Sequence, residues 1–318
     1  MSILNRILKP GGQVGWTAVD ASPDGLFGVS VLAPLELGGK PSVVGCGAVA
    51  DASLDVQSLT QLAKTLSVAD CQWMVALDRK AYNILVIEEP AVRQDEMAQS
   101  VRWAISTIID YPVTDSSVAW MKIPTEKLLQ NGPPHLYVVA TQNEIVAAHR
   151  EAFKQAKLPL RAIDVQETAH RNLAALVAKP GEGVVLLSIG KRGMQLTVTF
   201  QGELYLDRHV DEAIFGSAAD ESVLERARER VVLQVQRSLD FISRTLPFID
   251  INRVVLAPMP GESNLRGQIA ENLPVPVESL DLGKVFDFSR TPQLSSEENQ
   301  ANYLVALGAA LRFMNKTA

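Results

Sequence analysis

Cysteine is scarce in this chain. Cys46 and Cys71 are the only two among 318 residues, and they match neither a disulfide framework nor the spacing of a metal site. Because disulfides belong to oxidising compartments, two isolated cysteines favour a cytoplasmic protein in which both are packing residues. The N-terminus also lacks an apolar region followed by a small-residue cleavage site, so no signal peptide is expected.

Long apolar runs are missing as well. The nearest to one is the stretch 304–311, which Arg312 ends and which is far shorter than the ~20 residues of a membrane helix. The first residues do show an apolar helical face flanked by Arg6 and Lys9, formed by Ile3, Leu4, Ile7 and Leu8. A short helix docked on its own domain is favoured there, with weak contact to a membrane or a partner as the alternative.

An excess of basic residues and the common catalytic motifs are also absent. The net charge of −6 argues against a nucleic-acid surface. Neither a phosphate-binding loop ending in Gly-Lys-Ser/Thr nor a Gly-x-Gly-x-x-Gly turn occurs. The four histidines have no partner at metal-ligand spacing; they are His135, His149, His170 and His209. No catalytic residue and no metal site is therefore predicted.

Two similar hairpins are present, and they start about half a chain apart. The first joins strands over 14–19 and 26–32, and the second joins strands over 184–189 and 194–200. Each has a buried strand, a turn of small residues and a second strand that partly alternates apolar and polar residues. The repetition predicts a duplicated α/β core with a cleft between its halves.

The pattern between the hairpins predicts the organisation of the chain. The breakers at 179–183 separate a first half, 1–180, from a second half, 181–318, and a small α/β subdomain is inserted at about 72–155. Apolar spacing predicts helices over 53–66 (with Ser53 as N-cap), 93–109, 144–155, 166–178, 221–246, a shorter one within 261–272, and 299–315. Further strands are predicted over 42–49, 72–77, 82–87, 118–122, 135–140, 160–164, 203–209, 252–258 and 275–280.

Five features in this order resemble the PilM family of type IV pilus assembly proteins, most strongly its MshI branch from the machinery of mannose-sensitive haemagglutinin pili. They are a short helix before Val14-Gly15, YPVTDSSVAW (111–120), LPLRAIDVQETA (158–169), VQRSLDF (235–241) and GAALR (308–312). The resemblance spans essentially the whole chain and implies a duplicated actin-like fold, which is RNase H-like and related to FtsA. It also implies a cytoplasmic protein.

The chain departs from that family where a nucleotide would bind. Family members read VGIDIG in the first strand and turn, whereas Thr17 and Val19 stand here at the acid and the second glycine. A shifted register would use Asp20 as the acid, but Ser22 would then replace the glycine and Phe27 the expected lysine. In the second half Ser188 replaces the acid before Gly190, and a Gly-Gly pair is reduced to Gly261.

These losses predict a degenerate nucleotide cleft. Magnesium needs a carboxylate and phosphates need close backbone approach, which Thr17 and Val19 do not provide. ATP and Mg²⁺ are therefore not expected as cofactors, although Lys191 and Arg192 could attract an anion. The candidate cleft residues are Thr17, Asp20, Ser22, Ser188, Gly190, Lys191 and Gly261. Asp164 and Glu167, where the fold would place its water-orienting acid, are interpreted as caps of the helix starting near 166.

The resemblance implies a scaffold rather than an enzyme. Such proteins hold the N-terminal cytoplasmic peptide of a bitopic inner-membrane partner, the PilN-like subunit, in a groove between the first half and the inserted subdomain. The aromatic residues available for that groove are Tyr82, Trp103, Tyr111, Trp120 and Tyr137; ordinary core packing is their alternative role. The alternative functions are an ATP-binding switch of the same machinery, a self-assembling FtsA-like subunit, and a type II secretion GspL-like protein. The last is disfavoured because such chains continue into a membrane helix.

Overall fold

A computed structural model describes residues 15–36, 38–66, 71–124, 133–190, 193–210, 221–260 and 263–314. The elements as far as β8 are β1 (Gly15–Ser22), β2 (Gly25–Leu32), β3 (Ser42–Ala50), α1 (Val56–Leu66), β4 (Gln72–Ala76), β5 (Asn83–Glu88), α2 (Met97–Ile105), β6 (Ser116–Ile123), β7 (His135–Gln142), α3 (Asn143–Gln155) and β8 (Leu160–Asp164). The remaining ones are α4 (Gln166–Val177), β9 (Gly183–Gly190), β10 (Gly193–Phe200), β11 (Glu203–Val210), α5 (Glu221–Thr245), β12 (Ile251–Leu256), α6 (Ser263–Asn272), β13 (Val277–Ser279), α7 (Leu282–Val285), α8 (Glu297–Asn302) and α9 (Leu304–Ala310). Nowhere in these ranges is a helix long and apolar enough to cross a membrane.

Two five-stranded sheets repeat one topology. The first sheet has the order β3-β2-β1-β4-β8, and the second has the order β11-β10-β9-β12-β13. In each, three antiparallel strands are followed by two that run parallel to the first of them. The duplication that the two hairpins predict is therefore present in the strand order itself.

The turn between β1 and β2 explains why the first hairpin is so regular. Gly25 has a φ of 125°, a conformation that residues with a side chain rarely adopt. A Cβ at this position would also lie 2.3 Å from the carbonyl oxygen of Val49 on β3. Glycine thus permits both the tight turn and the close approach of the third strand.

A small sheet of order β5-β7-β6 is inserted in the chain between β4 and β8 of the first sheet. Helix α2 covers one of its faces, with Val101 and Ile105 fully buried against Leu136 and Val138. The opposite face of β7 carries Tyr137, which packs in the same cluster as residues of β10 and β11. The small sheet therefore contacts the second sheet as well as the first half.

Helices α4 and α9 are exchanged between the halves. Helix α4 follows β8 of the first sheet but packs on β9, β10 and β11, whereas α9, near the end of the chain, packs on β1, β2 and β4. The two helices cross so closely that a Cβ on Gly308 would lie 2.3 Å from the carbonyl oxygen of Ala169. Division of the chain at residue 180 stays a prediction, since each half supplies a helix to the other half's sheet.

Three predicted helices differ from those observed. Helix α1 begins at Val56, because the Asp55 carboxylate, and not Ser53, accepts the backbone N–H of Ser58 at 2.8 Å. Helix α2 is shorter than 93–109, since the polar residues before Met97 are exposed and have no apolar face to bury. The closing helix over 299–315 is divided at Tyr303 into α8 and α9, followed by a 3₁₀ turn.

Candidate functional site

A cleft of about 570 Å³ opens between the two halves. Its walls come from the turn after β1, the start of α4, the ends of β9 to β11, and the segment from α8 to α9. Its polar lining residues are Ser22, Asp24, Asp51, Gln166, His170, Ser188, Gln195, His209, Glu298 and Asn302. Both halves therefore contribute hydrogen-bonding groups to one cavity.

The first turn of α4 presents Gln166 and His170 to the cleft. They are four residues apart, so they lie on one face of the helix, and both are almost fully buried. The backbone N–H of Gln166 donates to the hydroxyl of Tyr82 at 3.2 Å. In the described part of the chain, the side-chain nitrogen of Gln166 has no hydrogen-bond partner, which leaves a donor at the cleft wall.

The second half contributes the end of β9 and parts of β10 and β11. The hydroxyl of Ser188 lies 3.4 Å from Nε2 of His170. A Cβ on Gly190 would meet no atom within 4 Å. Gln195 bridges two side chains: its amide nitrogen donates to Asp207, and its oxygen accepts from Nδ1 of His209 at 2.8 Å. That orientation of Gln195 places a proton on Nδ1 of His209.

The structure places three of the candidate cleft residues in the cleft and buries two others away from it. Ser22, Ser188 and Gly190 line the cleft. Thr17 is fully buried, with its hydroxyl 2.8 Å from that of Ser30. Asp20 is also fully buried, opposite Phe27 on one side and Ala76 on the other. Neither residue is part of the cleft lining.

Two further candidates, Lys191 and Gly261, lie outside the described residues. Sequence reasoning missed Gln166, His170, Gln195 and His209 as lining residues. The helical spacing of Gln166 and His170 was a readable signal for a shared face. The pairing of Gln195 with His209 was not readable, because it depends on the register of two strands.

The charge of the described lining is negative. Asp24, Asp51 and Glu298 carry carboxylates, and none of the lining residues in the described ranges is a lysine or an arginine. No group of three or more histidine, cysteine, aspartate or glutamate side chains there could hold a metal ion. The described lining thus provides neither a cation for phosphates nor a cluster of ligands for magnesium.

Asp164 and Glu167 do not act as simple caps of α4. The N-cap residue of the helix is Val165, whose side chain makes no capping hydrogen bond. Asp164 accepts the backbone N–H of Val165 at 3.0 Å and an Nη1 bond from Arg312 at 2.7 Å. Glu167 is fully buried and bonds inward, to Tyr82 at 2.6 Å. The helix-capping prediction is therefore wrong for Glu167, since its carboxylate joins α4 to Tyr82, the residue just before β5.

The five candidate groove aromatics do not share one open surface. Tyr82 and Tyr137 are almost fully buried, at 4% and 3% exposure, so they do not line a groove in this structure. Tyr111 and Trp120 are half-buried and pack in the cluster under α2. Trp103, on the outer side of α2, is 80% exposed. Four of the five thus occupy core or partly buried positions, and Trp103 is free to contact a partner.

No protein-family model matches the chain, and no curated protein matches it in sequence. Solved structures do match. A structure described as "PilM-PilN type IV pilus biogenesis complex" shares 20% identity with a TM-score of 0.73, covering 96% of this chain and all of the other. The cytoplasmic domain of EpsL, an inner-membrane component of the type II secretion system of Vibrio cholerae, shares 12% identity with a TM-score of 0.52, covering 95% and 96% of the two chains. Together with the repeated strand order, these likenesses establish the duplicated actin-like fold.

Proposed function

We propose that this chain is a cytoplasmic, non-enzymatic scaffold of a type IV pilus assembly platform. It is of the PilM kind and, following its sequence resemblance, of the MshI branch that serves mannose-sensitive haemagglutinin pili. Its partner is the N-terminal cytoplasmic peptide of a PilN-like bitopic inner-membrane protein. The chain is thereby held at the inner membrane through that partner.

The observation that carries the proposal is the likeness to the PilM–PilN structure over 96% of this chain and the whole of the other. Alternatives that share only part of the fold would leave one of the two chains uncovered. The EpsL domain is also covered over most of its length, but its backbone agrees less well, at a TM-score of 0.52 against 0.73. A pilus component is therefore favoured over a secretion component.

The composition of the cleft supports a scaffold over an ATPase. A nucleoside triphosphate carries several negative charges. The described lining would repel them, because its charged side chains are the carboxylates of Asp24, Asp51 and Glu298. Thr17 and Asp20, which the first-half motif would offer to the metal, are buried behind the wall. The cleft is thus degenerate as a magnesium–nucleotide site, and catalysis of ATP hydrolysis is not expected.

Trp103 is the candidate contact for the partner peptide. Its indole is 80% exposed on α2, and tryptophan is enriched among the residues that dominate binding energy at interfaces. Ile108, just after α2, is also exposed, at 55%. An apolar peptide segment that docks on the outer side of α2 would bury the Trp103 indole, which is exposed to water in the free protein.

The test is a titration of this 318-residue chain with a synthetic peptide of the cognate PilN-like N-terminus, followed by calorimetry. We expect binding by the unchanged chain and a loss of affinity of about tenfold or more for Trp103→Ala. Leu35→Ala is the matched control, since Leu35 is 86% exposed on a loop after β2; its affinity should stay within about twofold. Absence of binding to the unchanged chain would refute the proposed function, and equal losses in both variants would remove Trp103 from the contact.

The nucleotide part of the proposal has a separate test. A thermal-shift titration with MgATP and MgADP should leave the melting temperature unchanged. A nucleotide that bound would be detected, because a ligand at ~100 times its Kd stabilises the folded state by about 2.7 kcal/mol. A Mg²⁺-dependent shift that is lost when Lys191 and Arg192 are both changed to Glu would favour the ATP-binding switch instead.

A further inference from the structure

The outward side of helix α5 carries a row of arginines. The helix spans 25 residues, and its apolar side packs on the second sheet. Four arginines lie on the opposite side, within about 40° of one another at ~100° per residue, and all are exposed: Arg226, Arg230, Arg237 and Arg244. At ~1.5 Å per residue they extend over about 27 Å. We call these four side chains the arginine row.

Exposed apolar side chains flank the arginine row. Leu233 lies on one side of it, and Val223 and Phe241 lie on the other; they are 43%, 48% and 41% exposed. The guanidinium of Arg208, on β11, lies over the ring of Phe241, 5.8 Å from its centroid, and so adds positive charge beside the row. The outward side of α5 therefore combines cations with large apolar groups, whereas a helix face that only meets water carries polar residues.

Most of the carboxylates of α5 are turned toward α6. Glu225 accepts from the amide of Gln268 on α6, at 2.9 and 3.1 Å from its two oxygens, and from Arg228 at 3.3 Å. Glu229 lines the same hollow between the two helices, together with Glu271 of α6. These acids thus lie to one side of the arginine row.

Asp240 is the acid nearest the C-terminal part of the row, about 40° from Arg244 around the helix. In the part of the chain that the structure describes, no carboxylate lies within salt-bridge distance of Arg237 or Arg244. Both guanidinium groups therefore present their charge to the outside, although the chain as a whole carries a net charge of −6.

A plane of phosphate groups complements this surface. Guanidinium binds phosphate through paired hydrogen bonds, and an arginine near an anionic bilayer strengthens association about fivefold. At physiological ionic strength, charges further than ~8 Å from the contact are largely screened, so the negative charge elsewhere on the chain opposes the contact only weakly. Apolar side chains beside the arginines can enter the headgroup region, as in helices that lie on a membrane surface.

We propose that α5 docks the chain on the anionic lipid headgroups of a membrane, with the arginine row against the phosphates and with Leu233 and Phe241 at headgroup depth. The contact rests on the proposed function for its location, since the PilN-like partner holds the chain at the inner membrane. Helix α5 then lies parallel to the membrane plane. Because the partner has already brought the chain to the surface, a weak lipid contact suffices to orient it there.

The test is sedimentation of the 318-residue chain with vesicles, without any partner peptide. We expect binding to phosphatidylcholine vesicles that contain about 30% phosphatidylglycerol, at least about tenfold weaker binding to pure phosphatidylcholine, and a loss of binding as salt rises above ~0.1 M. Arg237→Gln combined with Arg244→Gln should weaken binding about tenfold or more, because two contributions of about fivefold are removed.

The matched control combines Arg150→Gln on α3 with Arg161→Gln on β8. Both positions are exposed, and the change in net charge is the same, so its vesicle binding should stay within about twofold of that of the unchanged chain. Melting temperatures check that both double variants fold. If the α5 double variant does not, Arg244→Gln alone should still weaken binding about fivefold.

Three results would overturn lipid docking by α5: no vesicle binding by the unchanged chain, equal binding with and without phosphatidylglycerol, or equal losses in the two double variants. Poly-glutamate that binds through Arg237 and Arg244 to a chain that ignores vesicles would also overturn it, and would identify an acidic polypeptide as the occupant. Calorimetry with the PilN-like peptide separates the two proposals: its affinity should be unchanged in the α5 double variant. Lost peptide binding with retained vesicle binding would refute the proposed partner alone.

Discussion

The crossing of α4 and α9 gives the sharpest prediction about stability, for Gly308→Ala. An alanine Cβ would lie 2.3 Å from the carbonyl oxygen of Ala169, whereas such contacts in proteins stay above 3.0 Å. The helices would therefore have to separate by at least 3.0 − 2.3 = 0.7 Å. The obstructing atom is backbone, so no side-chain rotation relieves the clash.

The magnitude follows from three contributions. Overpacking of a well-packed core costs about 1–3 kcal/mol, and every residue of α9 is buried, which leaves little room to shift. The 2.9 Å bond from the Asn172 amide to the Gly308 carbonyl would weaken, at about 0.5–1.5 kcal/mol. Alanine regains about 1 kcal/mol of helix propensity over glycine. The net destabilisation is about 1–3 kcal/mol.

Thermal unfolding followed by circular dichroism measures this change. With an unfolding entropy near 0.7 kcal/mol/K for a chain of this length, a loss of about 2 kcal/mol lowers the melting temperature by about 3 °C. Gly267→Ala is the matched control: Gly267 is exposed within α6, and a Cβ there meets nothing within 4 Å. It should stabilise by up to about 1 kcal/mol. If Gly308→Ala is as stable as the original chain, the close crossing inferred here is wrong.

Three further changes test ion pairs that join separate elements. Arg253→Lys should destabilise by about 1–2 kcal/mol in urea unfolding, because the guanidinium holds both oxygens of Glu182 at 3.0 and 3.1 Å and an ammonium holds only one; an unchanged midpoint would contradict this. The bonds from Arg253 lower the pKa of Glu182, so their stabilisation is present above about pH 4.3 and lost as the pH falls through the lowered value. Glu182→Gln should accordingly be less stable than the original chain at pH 7 and converge with it as the pH falls through the lowered pKa of Glu182, whereas a constant difference would exclude a linked proton. Arg312→Gln removes the 2.7 Å bond to Asp164, and because the arginine is a third exposed we expect a loss of only about 1 kcal/mol in the same assay.

The repeated core could be predicted because its signals are local. The strand predicted over 184–189 extends over Gly183–Gly190, and the helix predicted over 221–246 is observed as Glu221–Thr245. Both predictions rest on side-chain periodicity and on the glycines or polar residues at the ends of the element, and these signals come from residues close together in sequence. The break at Tyr303 was not predictable in this way. Its ring packs edge-on to that of Phe27 at 5.4 Å, a tertiary contact between positions far apart in sequence.

The candidate site, too, could be predicted from the sequence only where the signals were local. Ser22, Ser188 and Gly190 were found because strand-to-turn junctions at the start of each half were expected to face the cleft. Thr17 was selected by its place in a motif, but its hydroxyl pairs with Ser30 across the hairpin, inside the first sheet. The position of a residue in a motif predicts the region of the fold in which it lies, whereas strand register decides whether its side chain reaches the cavity.

The exchange of elements between the halves explains how the cleft can keep its shape through protein contacts. The C-terminal segment pairs with the edge of the first sheet: Val43 N–H donates to the carbonyl oxygen of Asp287 at 2.9 Å, and the Thr291 hydroxyl donates to the carbonyl oxygen of Val43 at 3.2 Å. Helix α9 then continues across that sheet, while α4 crosses in the opposite sense onto the second sheet. To separate, the halves would have to break the packing at Gly308 together with the bond from Arg312 to Asp164. These links join the two halves directly, so the shape of the cleft depends on the packing of α4, α9 and the C-terminal segment.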